Sequence, residues 1–325
     1  MAFRDDTLER GLLRALVTGM DDDARAPNPF RVEAFDATAC GAEWSATLRR
    51  GTESELRDWL SFALGGCDKA DAIALSHFQR DLEITAKPDR TLVTQVDRAI
   101  EALLREQIQH MYPGHGLVGE EYGSEARTAD TRWYIDPIDG THNYVRGVPI
   151  FATLLAVERD GEVQVGVLSA PALHQRWFAW RGGGAWTFRW QRNGPGTATR
   201  MGVSRIGSLS QAQLLYGSPF EVLRTGWAPG FADLVARVWR DRGFGDFWGY
   251  ALLAEGAAEA MIEVGIHPWD LAAPSVLVEE AGGRLTDFGG RRRLDTATIV
   301  ASNGWLHGAI LTALQGDSAP EPDLP

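Results

Sequence analysis

The sequence predicts an α/β protein, and two observations support that class. Short apolar runs typical of strands alternate with longer amphipathic stretches of helical period, and they do so in both halves of the chain. There is no internal repeat. With 325 residues, of which 44% are hydrophobic, the chain can bury a large core in one large or two ordinary domains.

The predicted helices place apolar residues at helical spacing on one face. In the first of them, Leu56, Leu60 and Leu64 form such a stripe. The helices are expected at 53–80, 97–110, 231–240, 247–255, 270–281 and 306–314. Pro274 fits the fifth helix because, with a start at 270, it would fall in the first turn.

The predicted strands are short apolar or alternating runs, and Asp160-Gly161 supplies a hairpin turn between two of them. The strands are expected at 82–84, 117–120, 133–135, 151–157, 163–168, 176–180, 185–186, 214–216, 260–264 and 298–301. Residues 87–94 are predicted to form a mobile loop, and 124–131 a polar connection.

Glycine and proline at 194–196 separate two predicted units, an α+β unit at 53–195 and an α/β unit at 196–315. Residues 1–52 form an N-terminal extension of unknown role. Residues 316–325 carry three prolines and three acidic residues, which predicts a disordered tail.

The bulk properties exclude several classes of partner. A formal net charge of −12 argues against general affinity for nucleic acid or an anionic membrane. No apolar segment is long enough to span a bilayer, and the N-terminus lacks the pattern of a signal peptide. Cys40 and Cys67 form no metal-ligand or CxxC pattern, which favours a reducing compartment. We therefore expect a cytoplasmic protein.

The strongest motif is a pair of aspartates, Asp136 and Asp139, at the end of an apolar run. Pro137 fixes the backbone between them, and Gly140 permits a tight turn or a close approach to a ligand. Two carboxylates followed by backbone N–H groups suit a divalent cation beside a phosphate. An ordinary Asp-Gly turn is the alternative.

Two further acidic positions strengthen the metal hypothesis. Glu120 and Glu121 follow a short apolar run, and Asp270 opens a predicted helix. Separately, they have ordinary explanations as a solvated acidic pair and a helix N-cap. Together with Asp136 and Asp139, they give the four carboxylates that a two-magnesium phosphatase site requires.

Three motifs follow one another along the chain: Gly119-Glu120-Glu121, the run from Asp136 to Thr141, and Trp269-Asp270. In this order, they resemble the motifs of the inositol monophosphatase superfamily, and the resemblance covers about residues 53–315. Within the superfamily, the sequence segments 87–97, 143–149 and 245–256 are similar to those of the histidinol-phosphate phosphatase branch. The resemblance implies a layered αβαβα sandwich and a homodimer.

Two positions depart from that branch. His142 stands where the branch often has Lys, and Gly265-Ile266-His267-Pro268 looks more like the inositol branch. These departures concern the choice of substrate rather than the metal motifs.

The resemblance also implies a role for each matched residue, with two to three Mg²⁺ ions as cofactors. Glu120, Asp136 and the carbonyl of Ile138 would bind the first ion. Asp136, Asp139 and Asp270 would bind the second, and Asp97 would help a third through water. Glu120 and Thr141 would orient the metal-activated water and receive its proton, and the N–H groups of Gly140 and Thr141 would bind phosphate. Glu263, seven residues before Asp270, would contact the substrate; its alternative is a surface position on an edge strand.

The expected activity is Mg²⁺-dependent hydrolysis of L-histidinol phosphate to L-histidinol and phosphate, a step of histidine biosynthesis. The expected partner is thus a small phosphate monoester. An inositol phosphate, or a sugar-like or aminocyclitol phosphate of a specialised pathway, is the alternative within the same chemistry. A catalytically silent binding protein is the alternative from another class, and four acidic residues at the matched positions oppose it.

Overall fold

The computed structural model describes residues 52–88, 91–125, 130–191 and 194–316. The helices are α1 (Glu53–His77), α2 (Gln95–Met111), α3 (Thr141–Val145), α4 (Pro219–Leu223), α5 (Ala228–Arg237), α6 (Asp246–Ala254), α7 (Pro268–Glu280) and α8 (His307–Gln315). The strands of the first half are β1 (Ile84–Ala86), β2 (Leu92–Thr94), β3 (Gly116–Gly119), β4 (Gly123–Glu125), β5 (Thr131–Asp139), β6 (Ala152–Arg159), β7 (Glu162–Ala170), β8 (Gln175–Trp180), β9 (Gly184–Gln191) and β10 (Gly194–Arg200). The remaining strands are β11 (Gln213–Tyr216), β12 (Arg240–Arg242), β13 (Ala260–Val264), β14 (Arg284–Thr286) and β15 (Thr298–Ser302).

Within the described residues, most strands belong to two large sheets. The first has eight strands in the order β10-β9-β8-β7-β6-β5-β3-β4, and the second has five in the order β12-β11-β13-β15-β14. The eight-stranded sheet is antiparallel except where β3 and β5 run parallel. Strands β1 and β2 form a separate antiparallel pair.

Five layers result from the way these sheets bury their faces. Helices α1 and α2 cover one face of the eight-stranded sheet, α6 and α7 lie between the two sheets, and α5 and α8 cover the five-stranded sheet. Strand β5 shows how the sequence sets this up, because Trp133 and Ile135 pack towards α1 and α2 whereas Tyr134 packs towards the central helices. The αβαβα sandwich implied by the resemblance is confirmed.

Several predicted boundaries were wrong. Residues 92–94 pair as strand β2 rather than lying in a loop, the strand expected at 82–84 starts at Ile84, and residues 123–125 form β4. The helix expected at 231–240 is α5, which ends at Arg237, and Arg240–Arg242 instead pairs with β11.

The explanation given for Pro274 was also wrong. Helix α7 begins at Pro268, so Pro274 lies in its second turn. Having no N–H, Pro274 cannot donate to the carbonyl of Asp270 four residues earlier. The N-cap at His267 sets the earlier start, and the sequence alone did not reveal it.

The predicted extension and almost all of the predicted tail lie outside the described residues, and the unit boundaries remain predictions. No helix in the described part of the chain is long and apolar enough to cross a membrane. Cys67 is buried and is not part of a disulfide, and Cys40 lies outside the described residues.

Candidate active site

Strand β5 brings Asp136 and Asp139 into one acidic cluster. Residues three apart on a regular strand face opposite sides of the sheet. The pairing of β5 with β6 shifts register between these two residues, where Pro137 cannot donate a ladder hydrogen bond. The Thr153 hydroxyl donates to the Pro137 carbonyl at 2.8 Å and holds this irregular segment. The shift lets the sheet direct both carboxylates towards the same site.

Glu120 joins the cluster because β3 runs parallel beside β5. The carboxyl ends of parallel strands meet at one edge of a sheet, and the Glu120 N–H donates to the Ile135 carbonyl at 3.3 Å. The carboxyl groups of Glu120 and Asp270 both approach that of Asp136. Asp136 is therefore the centre of the cluster.

Asp97 and Asp270 reach the cluster from the first turns of two helices, each as the acidic partner of a capping box. One Asp97 oxygen accepts the Thr94 N–H at 2.9 Å, and one Asp270 oxygen accepts the His267 N–H at 2.7 Å. The second oxygen of Asp97, Oδ1, faces the site and lies 3.4 Å from the Thr141 hydroxyl.

The predicted metal ligands are protonated more readily than ordinary carboxyl groups. Burial, followed by the charge of Glu120, raises the pKa of Asp136 well above its usual value. Burial, with Asp246 and Asp270 nearby, does the same for Asp139. Burial raises the pKa of Asp270 to about 7 and that of Asp97 to about 6, against smaller effects of their capping hydrogen bonds. Such a cluster is stabilised by any cation that binds it.

The donor set fits hard divalent cations. Asp136 Oδ1 is buried without a hydrogen-bond partner, the situation of a ligand atom directed at an ion. All donors are carboxylate or carbonyl oxygens, which suit Mg²⁺. Although these carboxylates lie in one cluster, no three His, Cys, Asp or Glu side chains among the described residues are close enough to hold one ion as they stand. Binding would therefore have to draw these carboxylates together.

Lys87 provides a protein cation at this site, and the sequence alone indicated no such role. Its ammonium group lies 2.8 Å from Glu120 Oε1 and 2.7 Å from Glu121 Oε1. Burial lowers the pKa of Lys87, but the two carboxylates outweigh burial and raise it. Lys87 and a metal ion would thus compete for Glu120.

Gly140 and Thr141 form the turn between β5 and α3. Gly140 has φ of +85°, and a Cβ there would lie 3.0 Å from the Ile150 carbonyl oxygen, so only glycine fits without strain. The Thr141 hydroxyl donates to the Ile138 carbonyl at 2.9 Å. Two residues with predicted roles, Thr141 and Ile138, are therefore in direct contact.

Glu263 lies beside the cluster and not on a surface edge. Strand β13 sits in the middle of its sheet between β11 and β15, and Glu263 is buried, so the alternative of an edge position was wrong. Its carboxylate accepts the Tyr250 hydroxyl at 2.7 Å and the Asp246 N–H at 3.3 Å. Burial, with Asp246 adding to it, raises the pKa of Glu263 to about 8.

Asp246 is the main site residue that sequence reasoning missed. It has φ of +56°, which is unusual for a residue with a side chain. The next N–H, of Phe247, donates to Asp139 Oδ2 at 2.6 Å, so Asp246 lies directly beside a predicted metal ligand. Burial raises its pKa, and nearby His142 opposes that rise. A Gly-Asp pair at the start of an apolar helix was the available signal.

A layered sandwich with carboxylates clustered at strand ends and helix starts is the arrangement expected of a hydrolase of phosphate monoesters. The chain belongs to the inositol monophosphatase family, whose model matches residues 55–318. It is 43% identical over 258 residues to the histidinol-phosphatase of Mycobacterium tuberculosis, covering 79% of this chain and 98% of the relative. It is also 43% identical over 249 residues to that of Streptomyces coelicolor, covering 75% and 92%. A more distant relative, the Nus factor SuhB of Escherichia coli, is 32% identical over 269 residues, covering 79% and 96%.

A solved structure agrees with this assignment. The Thermotoga maritima IMPase superposes with a TM-score of 0.70 at 30% sequence identity, covering 79% of this chain and 97% of that chain. The chain is accordingly a phosphomonoesterase.

Proposed function

We propose that this phosphatase hydrolyses L-histidinol phosphate with the help of Mg²⁺. The observation that supports this choice of substrate is a pair of carboxylates, Asp246 and Glu263, which lie beside the predicted metal ligands. Neither forms an ion pair with a Lys or Arg among the described residues. Buried carboxylates with raised pKa values favour a cationic ligand over a neutral one.

Histidinol phosphate matches this arrangement chemically. Its ammonium group is on the carbon next to the ester carbon, so a subsite for it must lie close to the reacting phosphate. Asp246 meets that requirement, because the neighbouring Phe247 N–H binds Asp139 at 2.6 Å. The titratable imidazole of the substrate supplies a second group that Glu263 can bind.

The metal assignment is part of the proposal. Glu120, Asp136 and the Ile138 carbonyl would hold one ion, and Asp136, Asp139 and Asp270 a second, with Asp97 supporting a third. Bound divalent cations would supply Lewis-acid chemistry, activating the attacking water and stabilising the leaving oxygen.

The protein groups then have separate tasks. The Thr141 hydroxyl lies between the Ile138 carbonyl and Asp97, so it can orient the attacking water. Burial raises the pKa of Glu120 and raises that of Asp97 to about 6, so both carboxylates are better proton acceptors than exposed ones. The N–H groups of Gly140 and Thr141 would bind the phosphate at the turn that only glycine permits. The homodimer and the cytoplasmic location remain predictions.

Phosphate release from a panel of substrates tests the choice. We expect kcat/KM in Mg²⁺ to be highest for L-histidinol phosphate, compared with inositol monophosphate and nucleotide monophosphates. Inositol monophosphate is the second candidate, favoured by the inositol-like run Gly265-Ile266-His267. A clear preference for it would refute the histidinol assignment and leave the phosphatase chemistry intact.

Two variants examine the cation subsite itself. Glu263→Gln and Asp246→Asn keep shape while removing charge, and Asn tolerates the positive φ at 246. Each should lower kcat/KM for histidinol phosphate by roughly 10- to 100-fold, the size of a lost charge-assisted hydrogen bond. A small aryl phosphate, which carries no ammonium group, serves as the control and should be nearly unaffected. Equal losses on both substrates would mean that the variants damage the metal site instead.

A further inference from the structure

The turn that contains Glu120 is fixed by hydrogen bonds to a buried carboxylate that belongs to none of the motifs. Glu101, on helix α2, is fully buried. Its carboxylate accepts the Glu121 N–H at 2.6 Å and the Tyr122 N–H at 3.2 Å. Both N–H groups immediately follow the predicted metal ligand, so the backbone of the turn is fixed relative to α2.

Arg105, one helical turn further on, completes this support. Its Nε donates to Glu101 Oε1 at 2.7 Å, which neutralises the buried carboxylate. Its terminal nitrogens donate to the Gly123 carbonyl and to Glu125 Oε1, the latter at 3.2 Å. The pair therefore binds both the start and the end of the turn.

Gly119 shows how closely this pair packs beneath the site. A Cβ on Gly119 would lie 2.0 Å from Glu101 Oε1 and 2.9 Å from Arg105 Nη2. The backbone of Gly119 does not have a positive φ, so glycine is required here for space and not for conformation. Gly119 is the residue directly before Glu120.

The same helix face also carries Asp97. Residues 97, 101 and 105 are spaced four apart, so their side chains lie in a row along α2. One helix thus positions Asp97 by its capping box and the Glu120 turn by Glu101 and Arg105. With the backbone fixed, the Glu120 side chain can exchange the Lys87 ammonium for a metal ion without movement of the turn.

We infer that Glu101 and Arg105 are positioning residues that set the distance between Glu120 and Asp97 required for cation binding. The inference rests on the metal site of the proposed function. It predicts that disturbing the pair weakens cation affinity more than it slows turnover once the site is saturated. A role in folding alone would not produce that split.

Mn²⁺ binding to chelator-treated protein, followed by the electron paramagnetic resonance signal of the free ion, tests this directly. In Glu101→Gln, one of the two N–H groups meets an NH₂ group instead of an acceptor, and Arg105 loses its buried anionic partner while keeping the exposed Glu125. We expect at least a tenfold loss of Mn²⁺ affinity, with kcat at saturating Mg²⁺ within about threefold of the wild type. Glu106→Gln, the same change on the exposed side of α2, should leave both values unchanged.

Folded Glu101→Gln with wild-type Mn²⁺ affinity would overturn the inference. If that variant does not fold, Gly119→Ala decides, because its methyl group displaces the Glu101 carboxylate without removing any charge. Wild-type Mn²⁺ affinity in Gly119→Ala would likewise overturn it. A wild-type protein that binds no Mn²⁺ would instead refute the metal site of the proposed function.

Discussion

Helix α7 begins and ends with carboxylates in opposite electrostatic situations. Asp270 lies in the first turn, where the helix dipole favours a negative charge, and Glu279 lies in the last turn, where the dipole opposes one. The pKa values of the two carboxyl groups are shifted in the direction opposite to the one that the helix dipole alone would cause. Burial, with Glu120 adding to it, raises the pKa of Asp270 to about 7, against its capping hydrogen bond to His267. Burial also acts on Glu279, but Arg181 and Arg292 outweigh it and lower the pKa.

The difference lies in where the compensating cations come from. Both arginines contact Glu279, with Arg292 Nε 2.6 Å from its Oε1. The Asp270 end has neighbours of its own sign, and Lys87 reaches only the Glu120 side. A helix dipole contributes about 0.3–1 kcal/mol, less than one pKa unit, so immediate neighbours decide. The cluster of Glu279, Arg181 and Arg292 therefore contains its own cations, whereas the proposed metal site would take its cations from solution.

The largest expected effect comes from removing charge at the candidate site. Asp136→Asn or Asp139→Asn should reduce kcat at saturating Mg²⁺ by at least roughly 100-fold, because a ligand charge is lost. The metal-free variants should melt at or above the wild-type temperature, since carboxylate repulsion is relieved. Turnover assays and thermal melts without metal check both expectations. Near-wild-type turnover in either variant would contradict the ligand assignment.

The same acid-to-amide change at the other end of the helix should act on stability instead. Glu279→Gln leaves Arg181 and Arg292 without their shared anion and should lower the free energy of unfolding by about 3 kcal/mol. Turnover at saturating Mg²⁺ should stay within about threefold of the wild type. Urea unfolding measures the loss, and Glu221→Gln on an exposed surface serves as a control expected to change stability by less than about 0.5 kcal/mol. An unchanged unfolding midpoint for Glu279→Gln would contradict the idea that Glu279 stabilises the fold by compensating the charges of Arg181 and Arg292.

A smaller effect should appear in the pH dependence of stability. The folded protein holds protons on Asp97 and Asp270, with pKa values of about 6 and 7, that the unfolded chain releases near pH 4. Their contribution is therefore present at low pH and is lost as pH rises through 6 to 7, costing about 1–2 kcal/mol in the metal-free protein. Glu279, with a lowered pKa, contributes above its unfolded value and should be constant in this window.

Melting temperatures at pH 5.5 and pH 8, with and without Mg²⁺, test whether Asp97 and Asp270 make stability depend on pH in this way. The increase caused by Mg²⁺ should be larger at pH 8, because fewer protons then compete for the carboxylates. An increase that is equal at both values would mean that these groups do not bind the ion.

Central elements of the fold could be predicted from the sequence, whereas edge strands could not. Strand β13 was predicted at its observed bounds, and β15 to within one residue, because both are apolar runs bounded by turns. Among the strands that were missed, β4, β10, β12 and β14 lie at the edges of the two large sheets, and β2 belongs to the separate pair with β1. Edge strands such as Gly123–Glu125 have no hydrophobic pattern of their own and form only by pairing with a neighbour.

The residues of the candidate site likewise fall into a group that could be predicted from the sequence and a group that could not. The carboxylates carried by motifs come together as the sequence suggested, because strand ends and helix starts fix them locally. Asp246, Glu101 and Lys87 could not be placed, because each contacts residues at least 17 positions away in the chain. A single sequence contains no record of those contacts.

Phosphate release from L-histidinol phosphate by chelator-treated protein, titrated with Mg²⁺, tests the central claim most directly. We expect no turnover without metal and saturable recovery as Mg²⁺ fills the cluster around Asp136. Full turnover in the metal-free protein would show that the buried carboxylates work without an external cation, and would contradict the account.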